Sequence, residues 1–157
     1  MNPVTAAHIH LALGHVPILA ILFGFGWLAF GAGRRNRDIQ RAALVMFVLA
    51  AILAVPLYLT GGPASGVLKG LPGFSDRVLE QHQAAAGVTL AGCIVLGLMA
   101  LAGLILFRDR VVVGWYGVLL LAGALVAGTL VIWTANLGGQ IRHSEIRPDN
   151  APTEQLN

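Results

Sequence analysis

The sequence predicts an all-α integral membrane protein, a four-helix bundle with both termini on the periplasmic side. Three observations lead there. Of 157 residues, 57% are hydrophobic and only 11% are charged, where a soluble domain carries about a quarter charged residues. Four apolar runs, roughly 7–33, 42–61, 79–107 and 111–136, each reach the ~20 residues needed to cross ~30 Å of hydrocarbon. The runs are continuous and lack alternation, so they read as helices and not as barrel strands. They make one transmembrane domain, 1–147, followed by a polar tail over 148–157 that is expected to be disordered.

The first run opens with Thr5 as its expected N-cap and contains Pro17, which should kink it by freeing the carbonyl four residues back. Trp27 is expected to pack against a neighbouring helix. The loop that follows, Arg34 to Arg41, is short and holds four arginines. The second run should kink at Pro56 and stop at Gly61-Gly62-Pro63. The connection from Gly61 to Asp76 is the only long one. It turns at Gly70-Leu71-Pro72-Gly73, carries Val67, Leu68, Leu71 and Phe74, and reads either as a lid on the outer end of the bundle or as a loop lying in the lipid headgroups. Ser75 is the expected N-cap of the third run, which leads through Arg108-Asp109-Arg110 into the fourth. The fourth run should end in a break at Gly138-Gly139.

Orientation follows from the basic residues. The first and third loops together hold six arginines, and the opposite side holds Lys69, Arg77, Arg142 and Arg147 with five acids. Lysine and arginine favour the cytoplasm, which leaves the termini outside, in a multi-pass protein of a bacterial inner membrane. Tyr58 and Trp133, with Trp115 and Tyr116, are the expected interfacial anchors. The many small residues of the last two runs let backbones approach closely in lipid. Two helical hairpins of this kind are candidates for pseudo-symmetry, but no internal repeat is legible.

Several classes are excluded. The formal charge of +3 and pI near 9.8 do not indicate nucleic acid, because the arginines sit in loops and no polar face carries a basic groove. The single cysteine, Cys93, lies inside an apolar run without an intrachain partner. No cleavable signal and no lipidation motif are expected. No nucleophile triad, phosphate loop or carboxylate pair is visible, so an electron-transfer or structural subunit is expected rather than a stand-alone enzyme.

The candidate site is a histidine cluster. Ionisable groups in membrane spans are costly and commonly functional, and none of the five histidines falls on the arginine-rich side. A rise of 1.5 Å per residue puts His8 and His82 roughly 39 Å above that side, His10 near ~36 Å and His15 near ~28 Å. His8 and His15 are seven residues apart and share a helix face, while His10 points elsewhere. His143 follows the Gly-Gly break and could fold back over the bundle. On the third helix His82, Ala86, Thr89 and Cys93 form one stripe; on the fourth Thr129, Trp133 and Asn136 form another. Two chemistries suit this set. One is haem b, with axial imidazoles among His10, His15 and His82, and Arg77, Arg142 or Arg147 for its propionates. The other is a copper, zinc or iron ion held by three or four of His8, His10, His15, His82 and His143, with Glu80 or Glu145 available. Met46 and Met99 lie far from the histidines, which argues against a copper(I) conduit. Proton or quinone chemistry, or interfacial histidines that bind no cofactor, also fit the composition.

The pattern His10-Leu-Ala-Leu-Gly-His15-Val-Pro17-Ile18, the histidine at position 82 and the segment Thr134-Ala-Asn-Leu-Gly138-Gly139 resemble a family of bacterial predicted four-helix membrane proteins of unknown function. Members carry a His-Pro-x-x-x-His-Phe-Pro-Ile pattern, a histidine early in helix three and Thr-Gly-x-x-Gly-Gly at the end of helix four. Leu11, Val16 and Ala135 depart from it. The resemblance covers most of the chain. It singles out His10, His15 and His82, whereas helix depth favours His8. Some members are joined to c-type cytochrome or Rieske-like modules, which implies electron transfer with a quinol or a periplasmic cytochrome, alone or within a larger membrane complex.

Topology is testable on its own. Reporter fusions at Arg37 and Arg108 should read cytoplasmic and one after Asn157 periplasmic; the opposite pattern would invert the bundle.

Overall fold

A computed structural model describes residues 2–112 and 114–148. The tail expected beyond Pro148, with Asp149 and Glu154, lies outside the described residues. Among those described, every regular element is helical: α1 (Pro3–Gly14), α2 (Val16–Gly33), α3 (Arg37–Ser65), α4 (Asp76–Leu106), α5 (Gly114–Gln140) and a short 3-10 turn, Ser144–Ile146. The spans Pro3–Gly33, Arg37–Ser65, Asp76–Leu106 and Gly114–Gln140 are long and apolar enough to cross a membrane. Exposed large apolar side chains run along all of them, from Leu11 and Leu22 to Leu125 and Ile132. An outer surface of that kind suits a lipid solvent.

The ends of the helices depart from expectation in instructive ways. The cap of α1 is Asn2, whose side chain accepts from the Val4 N–H at 2.9 Å, and not Thr5, which lies inside the helix. Pro3 at the first helical position gives up no bond there, so the helix starts earlier than the apolar run. Ser75 does cap α4, accepting from the Val78 N–H. The first span is interrupted at His15, two residues before Pro17, and α2 resumes with Pro17 near its start, where a missing N–H is harmless. By contrast α3 runs unbroken through Pro56 and through Gly61-Gly62-Pro63 to Ser65. In the same way α5 continues past Gly138-Gly139 to Gln140. Neither Gly-Gly pair is a helix stop.

The helices form a four-cornered bundle in which α2 packs on α3, α3 on α4, α4 on α5 and α5 back on α2, with α1 also against α3. Phe47, Ile21, Leu28, Leu44, Leu96 and Leu120 are fully buried at its centre. In lipid these contacts are held by close packing rather than by water exclusion. Glycines set the spacing: a Cβ on Gly24 would stand 2.6 Å from the Phe47 ring, and one on Gly97 would overlap Ala51. Trp27 does not pack inward as expected but lies half-exposed on the outer surface. The stripe of Thr129, Trp133 and Asn136 also faces outward; Ala127, Val131, Thr134 and Leu137 turn inward instead. Tyr116 is no free anchor, since its hydroxyl donates to the Met99 carbonyl at 2.7 Å.

The two ends are chemically distinct. At one, Arg41 donates to the Arg108 carbonyl at 3.0 Å and the Gln40 side-chain oxygen accepts from the Val112 N–H at 2.8 Å, which ties the two arginine-rich loops together. At the other, Leu68 and Phe74 of the long connection pack on Val78, Leu79 and Ile141, as expected of a lid. Arg147 fastens it, donating to the carbonyls of Gln140, Ile141 and Gly73. Gly73 has a positive φ of 81°, and a Cβ there would lie 2.6 Å from the Arg142 carbonyl oxygen. Only glycine satisfies both conditions.

Phe47→Ala should lower stability in detergent by about 3 kcal/mol, the scale for emptying a packed aromatic site. The midpoint of denaturant unfolding checks it, and a shift under a few tenths of that size would contradict the packing described.

Candidate functional site

The lid end carries the histidines, and the helix faces sort them. His8 and His15 are exposed, while His10 and His82 are partly buried. The shared face of His8 and His15 turns outward, so the position favoured by depth counting is not the one that faces the bundle. His143 is exposed on the segment after α5 and pairs with Glu145 at 2.7 Å. The carboxyl of Glu145 is held below its usual range by its own backbone N–H and by that imidazole.

His10 and His82 are built alike. The His10 Nδ1 donates from α1 to the Leu57 carbonyl of α3 at 2.9 Å, with the Thr60 hydroxyl oxygen also within 3.2 Å. The His82 Nδ1 donates from α4 to the Thr134 carbonyl of α5 at 2.9 Å. A carbonyl only accepts, so Nδ1 carries the proton in each ring, and in the neutral imidazole Nε2 keeps a lone pair. Each accepting carbonyl is followed four residues later by a glycine. A Cβ on Gly61 would stand 3.3 Å from Cε1 of His10, and one on Gly138 would stand 3.2 Å from Cε1 of His82. Glycine therefore lets the ring lie against the helix and reach a carbonyl that already accepts a helical bond.

Hydroxyls complete the setting. The single proton of the Thr60 hydroxyl has the carbonyls of Pro56 and Leu57 both at 2.9 Å, which leaves its oxygen lone pairs for His10. Below His82, the Thr89 and Thr134 hydroxyls lie 2.7 Å apart, and Thr89 also reaches the Leu130 carbonyl. No fully buried side-chain nitrogen or oxygen lacks a partner among the described residues.

Among the described residues, no group of three or more His, Cys, Asp or Glu side chains converges to hold a metal ion. His10 and His82 are the two histidines that the fold partly buries, one in each hairpin. Arg77 and Arg142 are exposed near the same end, Arg77 in an interaction of its own, and Arg147 donates to backbone carbonyls. Two surface grooves lie elsewhere, one beside Phe23 and Met46 and one beside Trp27 and Asp38. Sequence reasoning missed Leu57, Thr60 and Gly61 as the seat of His10. The available signal was the Gly-Gly pair itself, which recurs at 61 and 138 and was read both times as a helix break.

No family model, curated protein or solved structure matches the chain.

Histidine-selective 15N spectra of the detergent-solubilised protein should show two rings locked as Nδ1–H tautomers. Gly138→Ala should release one of them and Gly61→Ala the other. Fast-exchanging tautomer mixtures for both rings in the native chain would refute the hydrogen bonding described.

Proposed function

We propose that the protein is a small haem b-binding, electron-transferring subunit of a bacterial inner membrane, with periplasmic termini, in which His10 and His82 would hold the haem iron. One observation carries the reading. Two imidazoles from different helices present Nε2 at the same end of a bundle, each with Nδ1–H fixed on a helix carbonyl. Second-shell bonding of that kind fixes ring orientation and raises basicity in metal-ligating histidines.

The donor set favours haem over a bare ion. A bare copper, zinc or iron ion needs three or four protein ligands. Haem iron needs only two from the protein, because the tetrapyrrole supplies four nitrogens. A pair of imidazoles fits the second requirement, and meets the first only where water or other small ligands complete the ion's shell. Bound there, haem b would exchange single electrons with a quinol or a periplasmic cytochrome. The chain's own residues have separate tasks. Leu57, Thr60 and Thr134 orient the two rings. The lid of Leu68 and Phe74 limits water at that end, and Arg77 and Arg142 offer positive charge for propionates. The arginine bias of the two short loops supports the orientation, and the resemblance to proteins joined to cytochrome modules supports the electron-transfer role.

A second reading has an observation of its own. Each imidazole also bridges two helices, α1 to α3 and α4 to α5, as a cofactor-free structural subunit of a larger complex would use them.

The absorption spectrum of the purified chain separates these readings. The haem reading expects a Soret band that is lost in His10→Ala and in His82→Ala and retained in His8→Ala, His15→Ala and His143→Ala. A chain that binds no haem when expressed with ample haem, yet loses about 1 kcal/mol of stability in either of the first two variants, is the structural subunit instead.

A further inference from the structure

The two halves of the chain share a register that their residues conceal. His10 and His82 are 72 residues apart. The five buried positions of α2, namely Pro17, Ile21, Gly24, Leu28 and Gly31, reappear at the same offset as Thr89, Cys93, Leu96, Ala100 and Gly103, all buried in α4. In the second helix of each half the offset is 77. Gln40, Ala43, Phe47, Ala50 and Ala54 are buried in α3, and Gly117, Leu120, Ala124, Ala127 and Val131 are buried in α5. Of the difference of five, four residues lengthen the loop between α4 and α5 and one extends the end of α4.

Specific contacts obey the same two offsets. The seat of His10, the Leu57 carbonyl and Gly61, becomes the seat of His82, the Thr134 carbonyl and Gly138. A Cβ on Gly31 would stand 3.1 Å from Ile39, and a Cβ on Gly103 would stand 3.1 Å from Tyr116. Both hairpins enter from the lid end and pack in the four-cornered order α2, α3, α4, α5. That order is what a two-fold rotation along the bundle axis produces.

We infer that the bundle is a duplicated hairpin, and that His10 and His82 are the two copies of one ligand position, which act as an equivalent pair on a single bound group between the halves. Rotation about the axis puts both rings at one level, and each carries the same Nδ1 bond and the same free Nε2. The ligand class is a metal centre with two opposed open positions. The inference rests on the proposed function only for the identity of that group. An equivalent pair on one group gives a stoichiometry of one per chain, and a separate site in each half would contradict it.

Copper(II) is a suitable probe, since imidazole binds it strongly among the divalent first-row metals. The full chain carrying His8→Ala, His15→Ala and His143→Ala would be titrated and followed by electron paramagnetic resonance. One copper per chain, coupled to two imidazole nitrogens, is expected. His10→Ala and His82→Ala should each leave one nitrogen and weaken binding equally, by about tenfold or more, since even outer-shell partners are worth that much. Gly61→Ala and Gly138→Ala keep both rings, guard against a folding artefact, and should weaken binding by matching factors. Two coppers per chain, a single-nitrogen signal in the parent, no copper bound, or a mismatch beyond tenfold between paired variants would each overturn the inference. An equivalent copper pair in a chain that never binds haem would leave this inference standing and remove the haem reading. Haem bound with only one of the two imidazoles would remove the pair.

Discussion

Each half of the bundle depends on an imidazole lying flat against a helix at a point where glycine has removed the side chain that would hold it off. In hydrocarbon an unsatisfied polar group costs several kcal/mol, so the Nδ1–H of a partly buried histidine must find an acceptor. The helix carbonyls of Leu57 and Thr134 each accept the helix's own bond and have a second lone pair. Gly61 and Gly138 expose that lone pair to the ring. The contact sets the register of α1 against α3 and of α4 against α5. It also decides which nitrogen is left over, and therefore what the site can do.

Much of the fold is legible in the sequence, for a simple reason. Length and hydropathy alone count the spans, and arginine placement pairs the loops. Arg41 reaching the Arg108 carbonyl confirms that the two basic loops share an end. The lid was legible too, because Leu68 and Phe74 are too apolar for a free loop. Local signals failed where tertiary packing overrode them. Gly-Gly pairs and prolines are turn signals in water, yet α3 and α5 run through theirs. A continuous helix satisfies its own backbone in lipid, and a break would not. The inward face of α5 was misread because Thr129, Trp133 and Asn136 look functional by residue type. Facing is fixed by packing, and among apolar positions all round a helix the pattern carries little phase information.

The site was legible as a cluster and not as a pair. Counting residues places His8, His10 and His82 near one level, but level does not specify azimuth. The interruption of the first span at His15 changes the phase between α1 and α2, so a straight-helix argument cannot choose among His8, His10 and His15. The resemblance singles out His10 and His82, which are partly buried, and equally His15, which is exposed.

Packing explains how a repeat can persist while its residues diverge. In the first hairpin the small member of a central pair is on the first helix, Gly24, and the large one on the second, Phe47. At the equivalent positions of the second hairpin the sizes are exchanged: Leu96 on α4 and Ala124 on α5, both buried. The interior asks that each layer be filled and is indifferent to which helix supplies the bulk. Identity at those positions can therefore drift without cost, provided the partners change together. The seats of the two imidazoles have no such freedom, since any Cβ at 61 or 138 presses on the ring. What survives in register is accordingly His10 with Gly61 and His82 with Gly138, the positions where a Cβ would crowd the ring that reaches the carbonyl.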